Sequence, residues 1–260
     1  MATVQTLPLE KPQGKSQARR DFGRYFYTGA AFVLLALMFL GFQQFYLHGR
    51  AFPNRELTPP IRIWLIVHGV SMTAWMLLFL AQPLLVVAGN RRIHMMAGRV
   101  GAVLAAGVVA AGLQIAFASA RVNPPELKLW NLEPNRFLAV PLFSILLFGA
   151  FVFIGVWNRK RPKIHRPMML LATMAAIPAA MDRIDVIRNL YAGTVFGPLF
   201  GPFFAMLVLG LVFLVVNRLL TRSWDRYYAA GYAVLAVSSF LIMRLASTNV
   251  WDQMTKYLLG

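Results

Sequence analysis

Cysteine is absent from this chain of 260 residues, and disulfides, thiolate metal sites and cysteine nucleophiles are excluded with it. Acidic residues are scarce: nine Asp and Glu stand against 26 Lys and Arg. None of them forms a close hydrolytic cluster with the four histidines. The sequence has no glycine-rich phosphate loop, no H-E-x-x-H and no G-x-S-x-G, so it offers no ground for kinase, zinc-protease or serine-hydrolase chemistry. Charge of either sign is thin, at 13% of residues against about 25% in a soluble domain.

Apolar sequence fills the chain instead, at 58% of residues. From Ile63 to Gly89 no residue carries a full charge, which is long enough for a helix to cross a bilayer. Seven such spans can be placed, near Tyr25–Leu47, Ile63–Gly89, Ala97–Ser119, Phe137–Trp157, Met168–Ile187, Gly197–Asn217 and Tyr227–Ala246. The expected fold is therefore all-α: one seven-helix transmembrane domain over residues 25–260. Residues 1–24 carry five basic residues, Pro8, Pro12 and no apolar run, and read as a disordered cytoplasmic tail. The first apolar run is too long for a signal-peptide core and lacks a small-residue cleavage site, so it is expected to remain as an anchor.

The net charge of +17 would suggest nucleic acid in a soluble protein. Here the basic residues sit between apolar runs, where they set topology. The tail and the loops after spans two, four and six hold 5, 3, 5 and 3 Lys and Arg, 16 together; the remaining segments hold 10. The count puts the N-terminus in the cytoplasm of a bacterial inner membrane and the C-terminus in the periplasm. That orientation is opposite to G-protein-coupled receptors and retinal proteins. The last span also lacks the lysine a retinal Schiff base needs.

Two stretches repeat. Pro59-Pro60-Ile61-Arg62-Ile63-Trp64 is similar to Pro124-Pro125-Glu126-Leu127-Lys128-Leu129-Trp130, and the turn around Ile93-His94-Met95-Met96 to that around Ile164-His165-Arg166-Pro167-Met168-Met169. Spans two–three and four–five then form parallel copies of one hairpin, related by an axis along the membrane normal. Small residues at Gly98, Ala102, Ala106 and Ala110 of span three, and Ala172, Ala176 and Ala180 of span five, suit close helix approach and put these two spans at the centre.

His94 and His165 start spans three and five beside Arg92 and Arg166. A helix N-terminus and adjacent cations disfavour imidazolium, and neutral imidazole is the form that ligates haem iron or copper. Arg92 and Arg166 would then meet haem propionates, and the neighbouring methionines suit soft copper. The same residue types also fit interfacial anchors, or a site for anionic lipid headgroups. A second polar group lies in the outer half: His68, Gln114, Asp182, Arg183 and Arg244. Intramembrane ionisable groups mark proton or quinone sites, and they also fit an ion-pair cluster locking spans five and seven. On span two His68, Met72, Trp75, Phe79 and Gln82 share one stripe that should face protein. Pro178 frees the Met174 carbonyl and is expected to kink span five.

The segments Val67-His68-Gly69-Val70-Ser71-Met72-Thr73-Ala74-Trp75, Arg92–Arg99 and Ile164–Thr173 resemble a family of uncharacterised bacterial polytopic membrane proteins, over about residues 46 to 185. That family carries no assigned activity. More distantly, the histidine hairpins are similar to b-type cytochrome-like membrane domains, which implies axial histidines; here one histidine lies inside a span and two at turns.

The expectation is an inner-membrane accessory or assembly subunit of a redox complex, without a catalytic centre of its own, working among lipids and other membrane subunits. The alternatives are a haem b or quinone protein using His94 with His165, or His68 with Asp182, and a proton-linked small-solute transporter.

Overall fold

The computed structural model of the protein describes residues 13–52, 55–57, 59, 61–124 and 126–260. The chain runs through helices α1 (Gln13–Gly41) and α2 (Gln43–His48). A short antiparallel ribbon of β1 (Arg50–Phe52) and β2 (Arg55–Glu56) precedes the first hairpin, α3 (Arg62–Val87) and α4 (Arg91–Val122). The second hairpin is α5 (Pro134–Phe137), α6 (Ala139–Trp157), α7 (Pro162–Ala176) and α8 (Pro178–Met181). Then come α9 (Asp185–Asn189), α10 (Phe196–Phe200), α11 (Phe203–Thr221), α12 (Arg226–Ala246) and α13 (Asn249–Leu259). The protein is all-α and of membrane type. Five segments are long and apolar enough to cross a bilayer: α3, α4, Pro134–Trp157, α11 and α12. The apolar part of α1, Tyr25–Gly41, is shorter. That helix starts at Gln13, inside the stretch read as a tail; residues 1–12 lie outside the described residues.

Local chemistry sets the boundaries. Asn90 caps α4 by accepting from the Ile93 N–H at 3.2 Å, and Asp225 caps α12 by accepting from Tyr227 and Tyr228 at 3.1 and 3.0 Å. Pro178 has no N–H for the Met174 carbonyl, so Ile177 donates to it instead, at 3.3 Å. The expected kink is thus a full break into α7 and α8, through one tight turn.

Helix α7 is the centre. Leu170, Leu171, Ala172, Thr173 and Met174 have no exposed surface, and the helix packs on α6, α12 and α1. Tyr228 and Tyr232 of α12 donate to the Gly210 and Leu207 carbonyls of α11 at 3.0 and 2.8 Å. One long side-chain bond ties the two hairpins: Trp75 Nε1 of α3 donates to Thr173 Oγ1 of α7 at 3.2 Å.

Helix α4 stands at the edge, against α3 and α6. The stripe Gly98, Ala102, Ala106 and Ala110 does not reach the centre: Gly98, Ala106 and Ala110 are exposed and Ala102 half-buried. The buried small residues are Gly101, Ala105, Ala111, Gly112 and Ala116. The spacing is as expected and the phase differs, because every face of this helix is apolar enough for lipid. By contrast Ala172 and Ala180 are buried as expected.

Candidate functional site

The turn between α3 and α4 and the turn between α6 and α7 lie at one end of the bundle, with the start of α12. Asp225 at that start accepts from Tyr27 Oη of α1 at 3.4 Å, and Arg166 of α7 lies within electrostatic range of the same tyrosine. Each of the two turns delivers a histidine to the fourth position of the following helix. The His94 N–H donates to the Asn90 carbonyl at 3.1 Å and the His165 N–H to the Arg161 carbonyl at 3.0 Å. The two backbones are therefore equivalent at these residues. The side chains sit within electrostatic range of each other, with the His165 ring over the C-terminal end of α6.

What the rings touch differs. The last carbonyls of a helix lack helical partners. At the end of α6 the Ile154 carbonyl accepts from the Asn158 N–H at 3.1 Å and the Val156 carbonyl from the Arg159 N–H at 3.1 Å. The Gly155 carbonyl faces Nδ1 of His165 at 2.8 Å. A carbonyl can only accept, so the proton of neutral His165 is on Nδ1 and its Nε2 is left as an acceptor. Gly155 itself allows the approach of α7, since a Cβ there would meet Met169 Sδ at 2.8 Å.

His94 is set the other way. The Gln82 side chain of α3 bridges the first turns of α4. Its amide nitrogen donates to the His94 carbonyl at 3.2 Å and to Nδ1 of the His94 ring, and its oxygen accepts from the Gly98 N–H at 3.2 Å. The two backbone partners fix the amide orientation, so Nδ1 of His94 accepts and its Nε2 carries the proton. The paired rings thus present one acceptor and one donor.

That pairing does not fit haem held by both histidines, which requires a lone pair on each ligating nitrogen. Arg92 is exposed and Arg166 half-buried. Met95 and Met96 are exposed and Met168 is buried, so the methionines do not converge as a copper set. Among the described residues no group of three His, Cys, Asp or Glu is placed to hold a metal ion.

At the other end the five residues of the second polar group are dispersed. His68 is half-buried between α3 and α4, where a Cβ on Gly112 would meet its ring at 3.3 Å. Its Nδ1 is buried and has no hydrogen-bond partner among the described residues. Asp182 accepts from Trp130 Nε1 at 3.0 Å, and that indole stacks on Tyr191 with ring centres 5.4 Å apart. Arg183 donates to the Ala179 carbonyl at 2.7 Å and covers the Phe42 ring at 4.6 Å. Arg244 donates to the Pro198 carbonyl at 2.8 Å, and Gln114 is exposed. Among the described residues no hydrogen bond or ion pair joins His68 to Asp182.

Two features are not legible from sequence reasoning. Gln82 falls on the inward stripe, but its reach to the next helix does not follow from that; a lone Gln near the end of an apolar span is the available signal. The cap that α13 builds at the end opposite the histidines is the second. Thr248 caps α13 by accepting from the Trp251 N–H at 3.2 Å, and Trp251 Nε1 donates to the Arg136 carbonyl at 3.0 Å. Asp252 accepts from Lys256 at 2.8 Å and from Asn135 at 2.9 Å. The Lys256 bond above all holds the Asp252 carboxyl below its ordinary range. Lys128 does the same for Glu133 across 2.8 Å. No family model, curated protein or solved structure matches the chain.

Proposed function

We propose that this protein holds a quinone-class carrier at the paired histidines, as a non-catalytic subunit beside a membrane redox partner. The observation that supports it is the opposite setting of the two rings, imposed by the Gly155 carbonyl and by Gln82. A quinone ring accepts hydrogen bonds, and its reduced form donates them. Nε2–H of His94 is a donor to the first and Nε2 of His165 an acceptor from the second. The carrier supplies electron and proton transfer when bound; the protein supplies orientation, and His165 Nε2 is the atom able to take up a proton. The exposed apolar side chains of Ile93, Met95 and Met96 support lipid access to this end of the bundle.

The reading includes seven spans, with α1 and the broken α7–α8 crossing as well as the five longer segments. Successive connections alternate between the two ends, and the histidine end holds the larger share of Lys and Arg, which puts it in the cytoplasm of a bacterial inner membrane. Single cysteines at Arg91 or Lys160 should resist an impermeant thiol reagent in intact cells, and one at Gly260 should react. The reverse pattern would overturn the topology.

The carrier reading is tested with the purified protein and a short-chain ubiquinone analogue. Binding should saturate, and His165→Ala and Gln82→Leu should each weaken it about tenfold or more, as expected for losing one buried polar partner. Equal binding by both variants and wild type would sink it. A Soret band that disappears in His165→Ala would instead establish the haem alternative.

A further inference from the structure

Opposite the histidine end, the structure has a cavity of about 610 Å3 between the α4–α5 connection, the end of α12, and α13. Its volume lies within the usual range for small-molecule sites, about 300–1,000 Å3. Four cations line it, Lys128, Arg136, Arg244 and Lys256, with two carboxylates, Glu133 and Asp252.

The carboxylates are already engaged. Glu133 holds Lys128 at 2.8 Å, and Asp252 is shared between Lys256 at 2.8 Å and Arg136 Nε at 3.4 Å. Arg136 directs further donors to the Ser247 carbonyl and Asn249 Oδ1, each at 3.2 Å. Arg244 has no carboxylate partner among the described residues. Its guanidinium covers the Phe240 ring at 5.5 Å and one Nη2 bond goes to the Pro198 carbonyl; its other N–H groups have no hydrogen-bond partner among the described residues. The wall therefore carries two positive charges beyond its own carboxylates.

The wall beside the cavity is held by a strained turn. Trp130 and Asn131 have φ of 54° and 62°, both left-handed, closed by paired bonds of 2.9 and 3.0 Å between Leu129 and Leu132. This is the primed-turn geometry that Gly and Asn favour, adopted here by a tryptophan at the first central position. The Asp182 bond to the indole and the Tyr191 stack hold that ring in place. Strain of this kind persists only when the surroundings over-determine it, and it clusters at ligand sites.

We propose that this cavity binds a phosphate group, with Arg244 as its principal anchor. One compact dianion matches the charge excess. Its oxygens are all acceptors, as a wall rich in N–H donors requires, and the guanidinium fork suits phosphate geometry. The group can come from a soluble phosphomonoester or from a phosphomonoester lipid headgroup such as that of phosphatidic acid, since Arg244 lies in the last turn of a membrane-type helix.

The test uses the full chain in dodecyl maltoside, which carries no phosphate. Calorimetric titrations with inorganic phosphate and glycerol 3-phosphate form the soluble arm. Short-chain phosphatidic acid, compared with phosphatidylcholine in mixed micelles, forms the lipid arm. Saturable binding in either arm, weakened about tenfold or more in Arg244→Gln as for loss of a charge-assisted bond, supports the proposal, and the responding arm identifies the source. Lys128→Gln carries the same test if Arg244→Gln lowers the thermal midpoint. Three results would each overturn the site: no binding in either arm, undiminished binding by both variants, or succinate binding as tightly as phosphate.

Discussion

The hairpins α3–α4 and α6–α7 start from closely similar sequence and end in different places. Both put a histidine at the fourth helical position after a basic turn, with matching backbone bonds. Helix α7 is then enclosed by α6, α12 and α1, whereas α4 keeps one long face outward. In lipid, apolar sequence is content on either side of a helix. The repeat therefore sets the local turn and does not set depth. Depth follows from which neighbours the rest of the chain provides. The histidines record the difference: His165 completes the end of its own hairpin's first helix, and His94 receives a side chain inserted from α3.

The largest separation between the hairpins should come from their glycines. In Gly155→Leu the new Cβ would lie 2.8 Å from Met169 Sδ and 3.4 Å from the Met168 Cβ, with the rest of the side chain still to place. That change should cost about 1–3 kcal/mol or prevent folding. A Cβ at Gly98 meets nothing within 4 Å, so Gly98→Leu should stay within about 0.5 kcal/mol of wild type. Thermal unfolding in detergent reads both; equal losses would remove the distinction between centre and edge.

The tie between the hairpins comes next. Trp75→Phe and Thr173→Val each delete the buried 3.2 Å bond, and each should cost about 1 kcal/mol. In a double-mutant cycle the second change should add little to the first. Full additivity would mean that the bond contributes nothing.

A smaller effect is expected at the inserted amide. Gln82→Leu removes the bridge between the His94 carbonyl and the Gly98 N–H. Hydrogen exchange at Gly98 should speed up while the first turns of α7 keep their wild-type rates. Unchanged exchange at Gly98 would show that α4 closes its own ladder there. The smallest effect is set by Met96, which is exposed on α4: Met96→Ala should shift stability by no more than about 0.5 kcal/mol.

The helical, membrane-type character was legible because apolar length leaves few alternatives. The α12 and α6 boundaries fell within two residues of expectation, where Asp225 and Asn158 interrupt apolar runs. The inward stripe of α3 was also readable, since His68 and Gln82 give that helix a polar marker; Trp75 and Phe79 on it are buried. On α4 no polar residue stands between Val100 and Leu113 to mark a face, and the buried phase runs through Gly101 and Ala105. Asp182 is expected beside His68 or an arginine, but its hydrogen-bond donor is Trp130, 52 positions away on a turn. No periodicity links a turn residue to a helix end. The amphipathic α13 was hidden by its low hydropathy, although Asp252 and Lys256 stand at helical pairing distance.

The break at Pro178 has a mechanical consequence. A continuous helix would act as a stiff rod between His165 and Asp182. Here the rod has a joint, one tight turn long: α6 and α12 hold the half before it, α11 holds the half after it, and α1 runs along both. A displacement imposed at either end therefore meets a bend within the helix itself, and α1, which touches both halves, is the packed route past it.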